Sequence, residues 1–182
     1  MAKSNNAPKK QTASLDEGLS GLIAAAGVIL ALSYPVLALS TGVRAIFQIV
    51  EGDPTNSPWL TLLAATFYTI ATIGFVKQPR PSPKGKKGAQ KRPSTFFLSR
   101  WWQALQPAQA WRISIAILIL ETALTLIVGT VSYVAPDLLG RNVWQYFGKD
   151  YGYFPLIQPL LGVAWLLHPK TLANYGVKGF LR

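Results

Sequence analysis

Four apolar stretches without lysine or arginine limit what this chain can fold into more than any other feature of the sequence. Three of them, 18–42, 58–76 and 113–134, are long enough as helices to cross about 30 Å of hydrocarbon. The fourth, 153–169, is shorter and contains Pro155, Gln158 and Pro159, so it predicts a short span or a re-entrant segment. We therefore expect an all-α integral membrane protein, with a bundle of four transmembrane helices or three plus a re-entrant segment.

The amino-acid composition is also typical of a protein that is surrounded by lipid rather than by water. Of the 182 residues, 50% are hydrophobic and 14% are charged, whereas about 25% charged residues is usual in soluble proteins. A chain this short cannot bury so much apolar surface and still keep a charged exterior. Cysteine is absent, which excludes disulfides, thiolate metal sites and cysteine nucleophiles.

One membrane domain, 15–182, is expected to follow a polar tail at 1–14 whose composition is typical of disorder. In the "SLDE" segment, Ser14 and Glu17 fit a capping box, which predicts that the first helix begins there. The segments 43–57 and 135–152 are predicted to be loops, the second with a short interfacial helix at 142–147.

The segment 77–112 between the second and third spans is strongly basic. No acid lies between Asp53 and Glu121, and the sequence has a formal net charge of +11. Lysine and arginine are enriched in cytoplasmic loops. Both chain ends are basic as well, so we expect N and C termini on the cytoplasmic side of an inner, plasma or thylakoid membrane.

This basic loop is predicted to contact anionic lipid headgroups or an acidic surface of a partner. Nucleic acid is not expected, since no RNP, zinc or helix-turn-helix signature accompanies the charge. The second half of the loop predicts an amphipathic helix over about 96–105 that lies in the membrane interface, as an anchor or a docking element. The expected contact residues are Lys84, Lys86, Lys87, Lys91, Arg92, Arg100, Trp101 and Trp102.

Each of the first three spans has one stripe of small or polar residues, which predicts close helix packing along that stripe. Glu121 lies near the middle of the third span, where an ionisable group is costly and rarely faces lipid. We expect a protonated Glu121 that is hydrogen bonded to Tyr68, with Thr125 on the same face. Its role stays open between interhelical bonding, contact with a neighbouring subunit or pigment, and a proton or ion relay. The stripe residues are Ser20, Ala24, Gly27, Ala31, Tyr34, Ala38, Thr61, Ala65, Tyr68, Thr72, Ser114, Glu121, Thr125 and Ser132.

His168, the single histidine, ends the fourth apolar stretch. It is expected to be an interfacial polar cap, with ligation of a chlorophyll or haem as the alternative. No cofactor and no metal site is expected otherwise, and pigment ligation through His168 or Glu121 stays open.

No nucleophile–base set, phosphate-binding loop or zinc motif is present in the sequence. We therefore expect a non-enzymatic accessory subunit or assembly factor of a larger membrane protein complex. The residues do not identify that complex, and an energy-transducing one, respiratory or photosynthetic, is an assumption. The alternatives are a small proton- or ion-coupled transporter that uses Glu121 and, third, a membrane enzyme acting on lipid.

Overall fold

The computed structural model describes residues 7–77 and 105–177, and within these ranges the chain is helical with one isolated β-bridge. Helix α1 spans Ala7–Glu51, α2 spans Pro58–Val76 and α3 spans Pro107–Val134. A 3₁₀ segment at Gln145–Tyr151 is followed by α4 at Phe154–Leu167 and α5 at Pro169–Asn174. Three helices of the described chain are long and apolar enough to cross a membrane: α1 within 21–51, α2 and α3. The fourth apolar helix, α4, has 14 residues and is shorter than such a span.

Helix α2 has the bounds that the sequence predicts, but α1 is longer at both ends. It already begins at Ala7, so Ser14 lies inside the helix and its prediction as an N-cap is wrong. It also continues through Pro35 to Glu51, so the predicted loop at 43–57 shrinks to residues 52–57. The physical reason is that the polar residues after position 42 have partners. Arg44 donates to the Tyr151 hydroxyl and Gln48 donates to the Arg141 carbonyl, which removes the need to end the helix there.

Helix α3 begins at Pro107, six residues before the predicted span and inside the predicted basic loop 77–112. Gln106 and Gln109 form a reciprocal capping box, in which the Gln106 amide donates to Gln109 Oε1 at 3.2 Å. The buried Trp111 indole donates to the Leu166 carbonyl at 3.0 Å and fixes this first turn against α4. The predicted amphipathic helix at 96–105 falls almost entirely outside the described residues.

The connections at one end of the bundle pack on each other, and we call residues 52–57 and 135–153 the loop cap. Asn56 and Arg141 form a parallel β-bridge. The Ser57 amide donates to the Arg141 carbonyl at 2.9 Å, and the Arg141 amide donates to the Thr55 carbonyl at 2.7 Å. The ends of α1 and α3 and the start of α2 therefore lie at the same end of the bundle.

The second part of the loop cap enters the bundle, whereas the sequence predicted a loop at 135–152 with a short interfacial helix at 142–147. Val143 and Trp144 are fully buried, and the Trp144 ring lies 6.2 Å from that of Phe67 in the middle of α2. The backbone turns with positive φ at Tyr146, Phe147 and Gly148. A Cβ on Gly148 would lie 2.6 Å from the Pro155 ring, so this close approach requires glycine.

Helix α4 starts inside the bundle rather than at its end. The Thr125 hydroxyl lies 3.2 Å from the Pro155 carbonyl, and Thr125 is nine residues, or about 14 Å, before the end of α3. From there α4 runs antiparallel to α3 towards the start of that helix, where Leu166 meets Trp111. Helix α5 closes this opposite end, since the Tyr175 hydroxyl donates to the Gly74 carbonyl at 3.0 Å.

Candidate functional site: a buried polar layer

The polar stripes of α2 and α3 face the inside of the bundle, as predicted. On α3 all four stripe residues are buried, and on α2 three of the four are buried with Thr72 partly so. On α1 the stripe is buried at Gly27 and Tyr34, whereas Ala24 is exposed. Close packing explains the small residues on these faces. A Cβ on Gly74 would collide with the Ser114 side chain, so α2 and α3 contact each other almost backbone to backbone there.

Glu121 has 0% of its side chain exposed, and neither carboxyl oxygen has a hydrogen-bond partner. Tyr68 is equally buried and its hydroxyl also has no partner. The predicted hydrogen bond between Tyr68 and Glu121 is therefore not formed, although the two groups interact electrostatically. Neither Arg44 nor Arg112 pairs with this carboxyl, because Arg44 binds Tyr151 and Arg112 is exposed at the other end of α3.

Tyr34 of α1 completes the surroundings of Glu121. Its ring centroid lies 6.0 Å from that of Tyr68 and 5.1 Å from that of Phe75, and it interacts electrostatically with Glu121. Its hydroxyl is fully buried without a partner. The sequence analysis placed Tyr34 on the α1 stripe but not in the site. Its helical spacing from Gly27 and Ala38, which places it on the same face of α1, was the sequence signal that could have identified it.

Helix α4 contributes the last group through Gln158. Its amide donates to the Ser33 hydroxyl of α1 at 2.9 Å, while its Oε1 is buried without a partner. The contact pairs Thr125–Pro155 and Leu118–Gly162 bracket Glu121, so Gln158 lies at the same level of the bundle. Sequence analysis noted Gln158 only as a residue that weakens the fourth span. We define the buried polar layer as Ser33, Tyr34, Tyr68, Glu121, Thr125 and Gln158.

Thr125 differs from the other members because it is satisfied by backbone groups. Its hydroxyl donates to the Glu121 carbonyl at 2.8 Å and lies 3.2 Å from the Pro155 carbonyl. It therefore joins α3 to the start of α4. The members with a buried polar atom that has no partner, namely the Tyr34 and Tyr68 hydroxyls, the Glu121 carboxyl and Gln158 Oε1, come from four different helices. Buried polar groups are normally hydrogen bonded, so four such groups at one level are a candidate functional site.

A polar pocket of about 870 Å³ lies in the loop cap and is bordered by Arg44, Arg141, Asp137 and Asp150. Arg44 is half-buried; its Nη1 donates to the Tyr151 hydroxyl at 2.7 Å, and its guanidinium lies 5.4 Å from the ring centroid. Burial raises the pKa of the Tyr151 phenol, and the Arg44 charge opposes that shift.

His168 lies at the other end of the bundle and caps α5. Its Nδ1 accepts a hydrogen bond from the Lys170 amide at 3.2 Å, which leaves Nε2 for any further contact. The predicted role as a polar cap thus has a hydrogen bond to support it. Within 7–77 and 105–177, no three His, Asp or Glu side chains are close enough to hold a metal ion.

The predicted lipid or partner contacts Lys84, Lys86, Lys87, Lys91, Arg92, Arg100, Trp101 and Trp102 lie outside the described residues. The comparisons with known proteins add no relative: the chain matches no protein family, no curated protein and no solved structure.

Proposed function

We propose that this protein is a non-enzymatic accessory subunit or assembly factor that binds a larger membrane protein complex through α1. The observation that supports this is the outward face of that helix. Large aliphatic residues recur there at alternating spacings of three and four, and each is exposed. We call this set the α1 seam: Ile29, Leu32, Val36, Leu39, Val43, Ile46 and Val50.

Spacing of this kind is the heptad pattern by which one helix packs along another. The inward face of α1 is already packed in this way, since its residues are buried against the bundle: Leu30, Tyr34, Thr41 and Ala45. In the most apolar 18-residue stretch of each helix, the buried share is 17% for α1, 44% for α2 and 33% for α3. The proposed occupant of the α1 seam is therefore an aliphatic membrane helix of the partner complex. The basic loop and its aromatic segment are proposed as a second contact, on the cytoplasmic side.

A bulky substitution distinguishes a partner helix from lipid, because fluid lipid accommodates a larger side chain and a packed helix does not. We would express the full chain in its native membrane, extract it in mild detergent, and follow its migration on native gels with mass spectrometry of co-migrating chains. Leu32→Trp and Leu39→Trp should release the protein from the large assembly. Ile119→Trp and Ile127→Trp are matched controls, because these residues are similarly exposed on α3.

Equal migration of the seam variants and the controls in the large assembly would reject the α1 seam as the docking surface. Migration of the unmodified protein as a small oligomer would reject the accessory role itself.

The buried polar layer favours a second candidate function, a small proton- or ion-coupled transporter that uses Glu121. A fully buried carboxyl without a partner is expensive to keep, and such groups in membrane helices commonly mark ion pathways. Purified protein in liposomes should then carry an ion current that Glu121→Gln abolishes, and an absent current would exclude this candidate.

A further inference from the structure

We propose that the loop-cap pocket binds the headgroup of a zwitterionic phospholipid, a phosphodiester with a primary amine as in phosphatidylethanolamine. The pocket has a volume of about 870 Å³ and lies at the end of the bundle where α2 begins and α3 ends. Pockets for small molecules usually measure about 300–1,000 Å³. This inference goes beyond the proposed functions, since lipid binding here needs neither a partner complex nor an ion current. It also differs from the contact with anionic headgroups that is predicted for the basic loop.

The wall of the pocket is fixed by backbone contacts. Thr55, Gly140 and Arg141 line it, and the Arg141 amide donates to the Thr55 carbonyl at 2.7 Å. Gly140 has φ = +59°, and a Cβ there would lie 2.9 Å from the Thr55 carbonyl oxygen, so the two connections touch backbone to backbone. A wall of paired backbone is already ordered before a ligand arrives, which lowers the cost of binding.

Two positive charges in the lining have no anionic partner. Arg44 and Arg141 line the pocket, and neither forms an ion pair within the described chain. Arg44 is half-buried, and one of its five N–H groups donates to the Tyr151 hydroxyl at 2.7 Å. Gln48, one turn further along α1, donates to the Arg141 carbonyl at 3.2 Å, which holds that backbone near Arg44. A phosphate in the pocket can accept from the remaining guanidinium donors and offset the cost of a half-buried charge.

Two carboxylates in the same lining select a headgroup that also carries an amine. Asp137 and Asp150 line the pocket and are exposed, and within the described chain neither forms an ion pair with an arginine. The two acids and the two arginines leave the lining without net charge at pH 7. A purely anionic headgroup would meet the two carboxylates as like charges, whereas a zwitterion complements both signs. A primary ammonium donates hydrogen bonds to these carboxylates, which a quaternary choline cannot do.

The surroundings of the pocket favour a lipid over a soluble phosphate ester. Leu138 lines the pocket and is 70% exposed. Trp59 near the start of α2 and Tyr133 near the end of α3 are also more than half exposed at this end of the bundle. Exposed aromatic side chains at the ends of apolar helices are typical of the level of lipid headgroups. If α1, α2 and α3 cross the bilayer, the pocket therefore lies at that level, and the exposed leucine suits the start of an acyl chain.

Native mass spectrometry of the purified full chain tests the phosphate contact. The protein is mixed in detergent with equal amounts of phosphatidylethanolamine, phosphatidylcholine and phosphatidylglycerol, and the lipids that stay bound are counted. Because the basic loop can hold anionic lipid as well, the pocket is identified by the lipid that its variants lose.

Arg44→Gln and Arg141→Gln should each lower the retention of phosphatidylethanolamine by about tenfold, the effect of removing one charged hydrogen-bond partner. Lys149→Gln is the matched control, because this exposed cation of the loop cap does not line the pocket. Unchanged retention of phosphatidylethanolamine in a folded Arg141→Gln protein overturns the proposal, and so does a loss of phosphatidylglycerol in its place.

Asp150→Asn tests the amine contact and should lower the retention of phosphatidylethanolamine by about fivefold, as expected for an exposed ion pair. Glu51→Gln is its control, since this exposed carboxylate lies outside the lining. Equal retention in these two variants would reject a zwitterionic ligand.

Glycerophosphoethanolamine, the same headgroup without acyl chains, distinguishes a lipid from a soluble ligand. It should displace phosphatidylethanolamine from the unmodified protein only in large excess. Displacement at equal concentration would overturn the assignment to a lipid.

Discussion

Asp53 shows how a single exposed residue holds the turn between α1 and α2. Its Oδ1 accepts from the Thr55 amide at 2.9 Å and from the Thr55 hydroxyl at 2.8 Å. These hydrogen bonds, the backbone one first, lower the pKa of the Asp53 carboxyl. A carboxylate of this kind adds stability above its unfolded pKa and loses that contribution as the pH falls through its folded pKa.

We therefore predict that Asp53→Asn lowers the thermal unfolding midpoint at pH 7 and that the difference from the unmodified protein shrinks below about pH 4. Unfolding in mild detergent across this pH range is the measurement. Asp137→Asn is the control, since it removes an exposed loop carboxylate that has no hydrogen bond to another described residue. A difference between Asp53→Asn and the unmodified protein that is constant down to pH 3 would contradict the prediction.

Tyr153 adopts φ = +62°, in the left-handed region that a tyrosine rarely occupies, and 44% of the residue is exposed. We predict that Tyr153→Gly stabilises the fold by roughly 1 kcal/mol, because glycine adopts this conformation without strain. Ala116→Gly, at an exposed position inside α3, should instead cost about 1 kcal/mol. Chemical unfolding of both variants measures the contrast in sign, and destabilisation by both would show that Tyr153 is not strained.

Sequence reasoning placed Glu121, Tyr68 and Thr125 on inward helix faces, where all three are buried, because a carboxyl and hydroxyls stand out in apolar helices. It could not find Gln158 as a neighbour of that site. Its position depends on where α4 starts inside the bundle, which is a contact between segments far apart in the chain. The Tyr68–Glu121 hydrogen bond was wrong for a related reason, since spacing gives depth along a helix but not the distance between two side-chain atoms.

At the scale of helices, the contact between α2 and α3 depends on Gly74. A Cβ there would also lie 2.7 Å from the Ser114 Cβ and 3.4 Å from the Ala110 carbonyl, in addition to its collision with the hydroxyl. We predict that Gly74→Ala destabilises the bundle by about 1–3 kcal/mol, the usual cost of overpacking. Gly42→Ala is the matched control, because its Cβ would meet Ala65 at an ordinary 3.9 Å.

Ser114→Gly should restore part of the loss in a Gly74→Ala background, since it removes the atoms that collide. The measurement is a double-mutant cycle on thermal stability in detergent. Strict additivity of the two substitutions would show that the helices separate there rather than collide.

The bounds of a helix could be predicted where the residues that set them are adjacent to the helix in the sequence. Pro58 and Lys77 border α2 in the sequence, and both of its bounds were correct. The end of α1 was missed because Arg44 and Gln48 read as loop residues until their partners in the loop cap are known. The positive φ values at Tyr146 and Phe147 have no signal in sequence, because aromatic residues almost never adopt them.

For the molecule as a whole, the structure separates two ends: the loop cap and the end with α5. The cysteine-free sequence makes this testable with single labels. In sealed vesicles of one orientation, we predict that a membrane-impermeant maleimide labels Asp137→Cys and Ala173→Cys from opposite sides. Both positions are exposed. Labelling of both from the same side would contradict a bundle that crosses the membrane with α4 reaching the far end.

The position at which α4 starts, inside the bundle, has a consequence for biogenesis. A translocon releases a segment into lipid when its own length and hydrophobicity suffice. Helix α4, at 14 residues or about 21 Å, falls short of that, and its first turn meets α3 at Thr125 rather than the interface. If the bundle is inserted in a membrane, this segment has to wait for the three preceding helices, and we predict that deletion of 107–134 leaves α4 outside the bilayer.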